Sequence, residues 1–397
     1  MTKANVPQAT EIESIARDCV DPPFGAKELF DSVNNLVVRH PKLVEAKRWA
    51  DLFVELGPFS DEAPCSEICG PAGIGKSTLW EWLNDGARER VDWCEFRLPK
   101  RPPGRVLRRP YLTIKLQQQP TVGKICDEFL RALGDPLWWQ GSVVDKTARV
   151  DILLHAAQTH VVYIDEFQYV VDRTGVVVSE DIVDWLRDRH MPASRARLDL
   201  PCARSICLCL LGLGRLSAIF SGDGQRLRRW DAGWRMEAYG NSGPDLDDFA
   251  SIVAAFLDAT LLPVNPAIDP SDPDLVRRFH YATWGVSGYV KKLFGAAMRL
   301  AAFQPERYRV LDQRLLSDAF ALQIRTEEFE LVSRLVAVGD EPSYHGMQNP
   351  FSDNFNASSP PPALTDDRAP LPAPETRRRR AETRRDIDDA VRCSFRR

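Results

Sequence analysis

Two clusters of residues in this chain have the types and spacing that phosphate chemistry requires. The first is Gly70-Pro71-Ala72-Gly73-Ile74-Gly75-Lys76-Ser77-Thr78. It fits G-x-x-x-x-G-K-[ST] and opens into Leu79-Trp80-Glu81-Trp82-Leu83, which reads as helix. Glycines let a backbone curl until successive N–H groups point at one anion. The start of the helix adds its partial positive charge. On this reading Lys76 reaches the β- and γ-phosphates of a nucleotide, and the Ser77 hydroxyl ligates Mg2+. The second cluster is Val161-Val162-Tyr163-Ile164-Asp165-Glu166, an apolar run ending in two carboxylates. Such a run suits a parallel strand buried on both faces. Asp165 at its carboxyl end is placed to hold Mg2+ through water, and Glu166 to polarise the water that attacks the γ-phosphate. An Asp-Glu ending favours ATP hydrolysis over GTP switching. ATP and Mg2+ are therefore the expected cofactors, with Lys76 and Glu166 in catalytic roles.

These residues need elements to position them. Pro41 to Leu56 carries apolar residues at helical spacing and reads as a helix leading into the core. The strand before the glycine-rich loop, Ser66 to Cys69, is short and weakly hydrophobic. Lys100-Arg101-Pro102-Pro103-Gly104-Arg105-Val106-Leu107-Arg108-Arg109 reads as a basic loop feeding a strand from Tyr111 to Leu116. Helices are expected at Thr121–Leu133, Ala148–Gln158, Asp181–Asp188 and Gly224–Arg229, with strands at Ser205–Leu211 and Trp234–Tyr239. Alternating strands and helices predict a mostly parallel sheet with covered faces. From Asp245 to about Ile324 every segment reads as helix. From about residue 340 the chain is rich in Pro, Ser, Asp and Arg and holds too little apolar surface to order itself.

Composition bounds the partners. The chain has 397 residues and a net charge of −4, so nucleic-acid contacts must come from local patches. The cations at Lys100, Arg101, Arg105, Arg108 and Arg109 suit sequence-independent contacts to phosphate backbones. The nine cysteines show no metal-binding pattern. Cys65, Cys69, Cys207 and Cys209 read as small core residues in a reducing compartment. The chain has no apolar leader and no apolar run of about 18 residues. A cytoplasmic protein with no membrane partner is expected.

A phosphate loop, an Asp-Glu strand and a following helical segment resemble the AAA+ ATPases. The finer pattern resembles the TniB/TnsC family of DNA-transposition ATPases, related to MuB-type target-selection proteins. The matching pieces are His40-Pro41 before the leading helix, Leu116-Gln117-Gln118-Gln119-Pro120-Thr121, and Phe129-Leu130-Arg131-Ala132-Leu133-Gly134-Asp135-Pro136. Phe167-Gln168-Tyr169, Cys209-Leu210-Leu211-Gly212, Gln225-Arg226-Leu227-Arg228-Arg229-Trp230 and Gly285-Val286-Ser287-Gly288-Tyr289-Val290-Lys291-Lys292-Leu293 continue the set. The resemblance covers roughly residues 38–325.

The resemblance implies an α/β fold: a P-loop AAA+ core with a parallel sheet between helices, an all-α lid and a disordered C-terminal tail. The expected divisions are an N-terminal extension at 1–37, the nucleotide-binding core at 38–240, the lid at 241–330 and a partly basic tail at 331–397. The resemblance also implies an ATP-dependent homo-oligomer, ring or filament, that assembles on double-stranded DNA. Such an assembly recruits a DDE-type transposase, is placed by a TniQ-like selector, and disassembles on hydrolysis. Arg228 and Arg229 are the expected arginine fingers acting on a neighbour's nucleotide, and Lys291 the lid's contact to nucleotide. Leu213 departs from the family pattern. Many relatives carry a polar residue there, and Leu213 cannot hydrogen-bond. That departure keeps open a nucleotide-gated adaptor with little turnover. A helicase-loader-like or signalling AAA+ protein outside transposition is a third alternative.

Overall fold

Short runs of Val, Ile, Leu and Cys form the centre of this protein. The structure, a computed structural model, describes residues 25–56, 65–88, 92–96, 104–172, 181–186, 206–214, 233–322 and 347–356. Five strands make one sheet: β1 (Cys65–Cys69), β4 (Tyr111–Lys115), β5 (Val161–Asp165), β6 (Cys207–Gly212) and β7 (Trp234–Arg235). Their order is β4-β5-β6-β1-β7 and every neighbour is parallel. Strands that all point one way carry their carboxyl ends to one edge, where a ligand site of this architecture lies. β1, β5 and β6 are buried along their whole length, as a sheet covered on both faces requires. The weakly hydrophobic β1 is therefore central, with Ser66 and Glu67 among its buried residues. Cys65, Cys69, Cys207 and Cys209 are buried free thiols, as expected of core residues.

Helices α2 (Pro41–Leu56), α3 (Lys76–Arg88), α4 (Val122–Ala132), α5 (Val143–Ala156) and α6 (Gln168–Asp172) belong to the same unit, which spans Pro41–Glu237. Thr121 caps α4 by accepting from the Lys124 amide at 3.3 Å. Ser142 and Asp145 form a reciprocal capping box at the start of α5, satisfying two N–H groups that the first turn leaves without partners. This box starts α5 five residues before the expected Ala148. The basic segment also differs from expectation. Its Gly104–Leu107 portion is strand β3, paired antiparallel with β2 (Trp93–Phe96). Val106 is buried there, and this inward residue turns a loop into half of a hairpin.

The second unit comprises the chain up to His40 together with Ala238–Thr365. Helices α7 (Gly243–Ala259), α8 (Pro273–Thr283) and α9 (Ser287–Phe303), with a helical stretch at 313–322, lie where the sequence reads as helix from Asp245 to about Ile324. Two segments join it against expectation. Within the supposed extension at 1–37, α1 (Ala26–Asn34) packs on α9, burying Val33 and setting Phe30 beneath the Arg299 guanidinium at 5.7 Å. Residues 347–356, assigned by composition to the tail, also pack there. Phe351 sits edge-on to Phe279 at 5.1 Å, and Arg278 donates to the Pro350 and Ser352 carbonyls at 2.6 and 3.0 Å. Two phenylalanines in a polar stretch supply enough apolar surface once a groove is available to receive them. Among the described residues no helix is long and apolar enough to cross a membrane.

Candidate functional site

The glycine-rich loop leaves β1 at Cys69 and enters α3 at Lys76. Gly73 and Gly75 take φ of 77° and 107°, a left-handed backbone that glycine adopts freely. Gly70 has a different constraint: a Cβ there would meet the Met236 carbonyl oxygen at 2.4 Å. The buried Ile74 anchors the loop from beneath. Lys76 folds back over it, donating to the Gly70 and Pro71 carbonyls at 2.6 Å each. Ser77 stands exposed in the first turn of α3.

The end of β6 ties this loop to the acidic pair. The Gly70 amide donates to the Gly212 carbonyl at 3.3 Å, and the Phe167 amide to the Leu211 carbonyl at 3.1 Å. The segments after β1 and after β5 thus meet the last two residues of the strand between them. Leu213 follows at once and is buried.

Asp165 is 2% exposed, and its Oδ2 has no hydrogen-bond partner. Burial raises its pKa above the ordinary carboxylate value and the neighbouring Glu166 charge raises it further, while Lys115 pulls it down. Glu166 has φ of 59°, rare for a residue with a side chain and a mark of a backbone held by its surroundings. The Gln168 amide donates to Glu166 Oε2 at 2.5 Å. Lys115 lies opposite Asp165 in the β4–β5 register. Its ammonium is 3.5 Å from Asp165 Oδ2 and 3.6 Å from Glu166 Oε1, and 5.9 Å from the centre of the Trp80 ring. Trp80 is fixed by its own bond to the Ile114 carbonyl.

Lys115 and Gln168 are the site residues that sequence reasoning missed. Lys115 ends a strand recognised by alternation, but its partner becomes visible only once β4 is paired with β5. Gln168 could have been found from its position two residues after Glu166.

The residues present fit a nucleotide with Mg2+. A buried carboxylate oxygen that accepts no hydrogen bond suits a cation, as the Lys115 ammonium 3.5 Å from it shows, and left-handed glycines ahead of a helix start suit phosphate. Lys76, Ser77 and Asp165 are the residues that would hold them.

Arg105 lies on the outer face of the hairpin, 3.9 Å from Glu95, and Arg108 is exposed. Arg109 is half-buried, with its Nε shielded and without a hydrogen-bond partner. Lys291 donates to the Leu36 carbonyl at 3.3 Å within the helical unit. Arg228, Arg229, Lys100 and Arg101 lie outside the described residues. In the helical unit, two segments of the sequence resemblance converge on Tyr239. Its hydroxyl shares a 2.9 Å hydrogen bond with His40 Nδ1, and its amide donates to the Gly285 carbonyl at 3.0 Å. His280 Nε2 bonds the Tyr239 carbonyl at 2.7 Å, and burial lowers its pKa.

Residues 60–212 match a family described as an AAA domain. Cdc6p from Pyrobaculum aerophilum is similar in structure, with a TM-score of 0.50 at 15% identity over 73% of this chain and 70% of that one. The Aeropyrum pernix ORC1 protein, solved in complex with DNA, also scores 0.50 at 15% identity, over 76% of this chain and 70% of its own. No curated protein matches the chain. The fold is that of a P-loop AAA+ protein: a parallel sheet flanked by helices.

Proposed function

We propose that this AAA+ fold serves as an ATPase that assembles on duplex DNA and regulates transposition, recruiting a DDE-type transposase. One observation carries the ATPase part. A glycine-rich loop ending in Lys76-Ser77 and Phe167, the residue after the Asp165-Glu166 pair, are both bonded to the end of the strand between them. Bound ATP and Mg2+ would supply the leaving group and the charge that offsets it. This chain's residues do the rest. Lys76 neutralises phosphate charge, Asp165 orients the cation, and Glu166 accepts a proton from the attacking water. Lys115 and Gln168 hold the Glu166 carboxylate in place.

The DNA and transposition parts rest on the ordered resemblance and on the basic segment, of which Arg105 and Arg108 are exposed. One fold relative was solved with DNA. At 15% identity that likeness carries the fold alone.

Leu213 favours a second reading, an adaptor in which ATP gates assembly with little turnover. It is buried and has no polar atom to offer the γ-phosphate or the attacking water. Phosphate release measured with and without duplex DNA distinguishes the two. Under the ATPase reading the wild type turns over at least about a hundredfold faster than Glu166→Gln, the usual loss when a general base is removed. Equal rates with and without DNA would leave the adaptor.

A further inference from the structure

The loop between α4 and α5 has no place in nucleotide chemistry, yet it is built with care. The Leu137 amide donates to Asp135 Oδ1 at 2.8 Å, and the Trp138 amide to the Asp135 carbonyl at 3.3 Å. Arg149 grips it from α5, 3.0 Å from the Asp135 carboxylate and donating to the Leu137 carbonyl at 2.9 Å. Arg131 lies 4.1 Å over the Trp138 ring. The capping box holds its far end. All this order presents apolar side chains to water. Leu137, Trp139, Val143 and Val144 are 46%, 53%, 47% and 77% exposed. In this unit only two other large apolar residues among those described, Leu52 and Trp93, are comparably exposed.

Four exposed apolar side chains within eight residues, a tryptophan among them, on backbone that loses little entropy when bound, fit the profile of a docking surface. The chain holds a segment that fits it. Ile387, Ala390, Val391 and Phe395 are spaced as one face of an α-helix, with Asp388, Asp389, Arg392 and Arg396 on the other faces. About 30 residues separate Ile387 from Asn356, the last described residue. That much chain reaches up to about 100 Å when fully extended. Carriage on the same chain makes docking an intramolecular event, so it needs fewer contacts than a separate partner would. The exposed carboxylate of Asp145 on the rim suits the flanking Arg384, Arg385 and Arg392.

We propose that residues 387–395 dock through this apolar face onto the Leu137–Val144 patch of the same chain. Hydrogen exchange on the full-length protein tests it. Val391→Asp with Phe395→Asp should speed exchange of the amides at 137–146 about tenfold, and Trp139→Ala with Val144→Asp should do the same at 387–395. Amides of β5 and β6 should stay protected in both variants. Phe303→Asp, at the 81%-exposed Phe303 of the helical unit, should move neither segment. A photocrosslinker at Val144 in an otherwise wild-type chain should capture 387–395 of its own chain, as read from a mixture of light and heavy isotopic chains. Unchanged exchange at both segments, or crosslinks only between chains or only to another segment, would overturn the proposal.

Discussion

Lys115 reaches both site carboxylates from a neighbouring strand, and it is about half exposed. Its charge lowers the pKa that burial and Glu166 raise at Asp165, and it lies within 3.6 Å of Glu166. Lys115→Met should therefore lower turnover about tenfold while KM for ATP stays within about threefold. With the cation gone Asp165 protonates at higher pH, so under the ATPase reading the acidic limb of the pH–rate profile should move to higher pH. Steady-state kinetics across pH 5 to 9 read both effects, and an unmoved limb would remove Lys115 from the site's electrostatics.

Glu67 is a different kind of buried acid. It lies in the middle of β1, and Gly233 packs so closely that a Cβ there would meet Glu67 Cγ at 2.4 Å. Burial pushes its pKa from 4.5 up to about 7, against the pull of Arg235. A folded-state pKa above the unfolded one means the folded chain holds the proton more tightly. Below about pH 4.5 the two states are equally protonated and no penalty arises. Stability then declines between pH 4.5 and 7, and the full cost, up to about 3 kcal/mol, applies above pH 7. Glu67→Gln should be more stable than wild type at pH 8 and lose that slope. Urea midpoints at pH 5, 6.5 and 8 test this, and parallel slopes for the two proteins would contradict it.

At the scale of elements, local signals and tertiary pairing separate cleanly. The helix at 41–56 has the bounds its periodicity predicts, because one apolar face on sixteen residues has a single reading. Thr121 marks the start of α4 by its own chemistry. Thr121→Ala removes that cap and should cost about 1 kcal/mol, or roughly 2–4 °C in the melting temperature of the unit. Calorimetry reads this directly, and an unchanged midpoint would mean the cap adds nothing. The hairpin was not legible. Gly104–Leu107 is basic and proline-flanked, and only its pairing with Trp93–Phe96 buries Val106. Strand β7 was overextended for a related reason: only Trp234 and Arg235 find a partner in β1.

For the whole molecule, among the described residues the chain passes between its two units near His40 and near Ala238. Both crossings adjoin the Tyr239 cluster of the helical unit, where His40 and Gly285 meet Tyr239. A Cβ at Gly285 would lie 2.3 Å from the Tyr239 carbonyl oxygen, so this position of the helical unit tolerates no larger side chain. The same unit fastens residues 347–356 through Arg278 and the phenylalanines around it. Arg278→Ala should raise hydrogen exchange at 347–356 by about tenfold or more, since two close charge-assisted bonds are lost at once. Exchange at α7 should hold steady. An unaffected segment would show that Phe351 and Phe355 suffice to dock it.

The sequence by itself determined the chemistry. A glycine-rich loop and an acidic strand end are written in consecutive residues, because curling a backbone around phosphate and ending a buried strand in carboxylates are local acts. It also determined which segments are strands and helices wherever a single periodicity applied. Only the tertiary structure decided which strand lies beside which. That pairing brought Lys115 against Asp165, buried Glu67, made a hairpin of the basic segment and drew two outlying segments onto the helical unit. Each depends on a partner distant in the chain. Burial and Coulomb attraction act through space, and one chain pattern is compatible with many partners until the fold selects one.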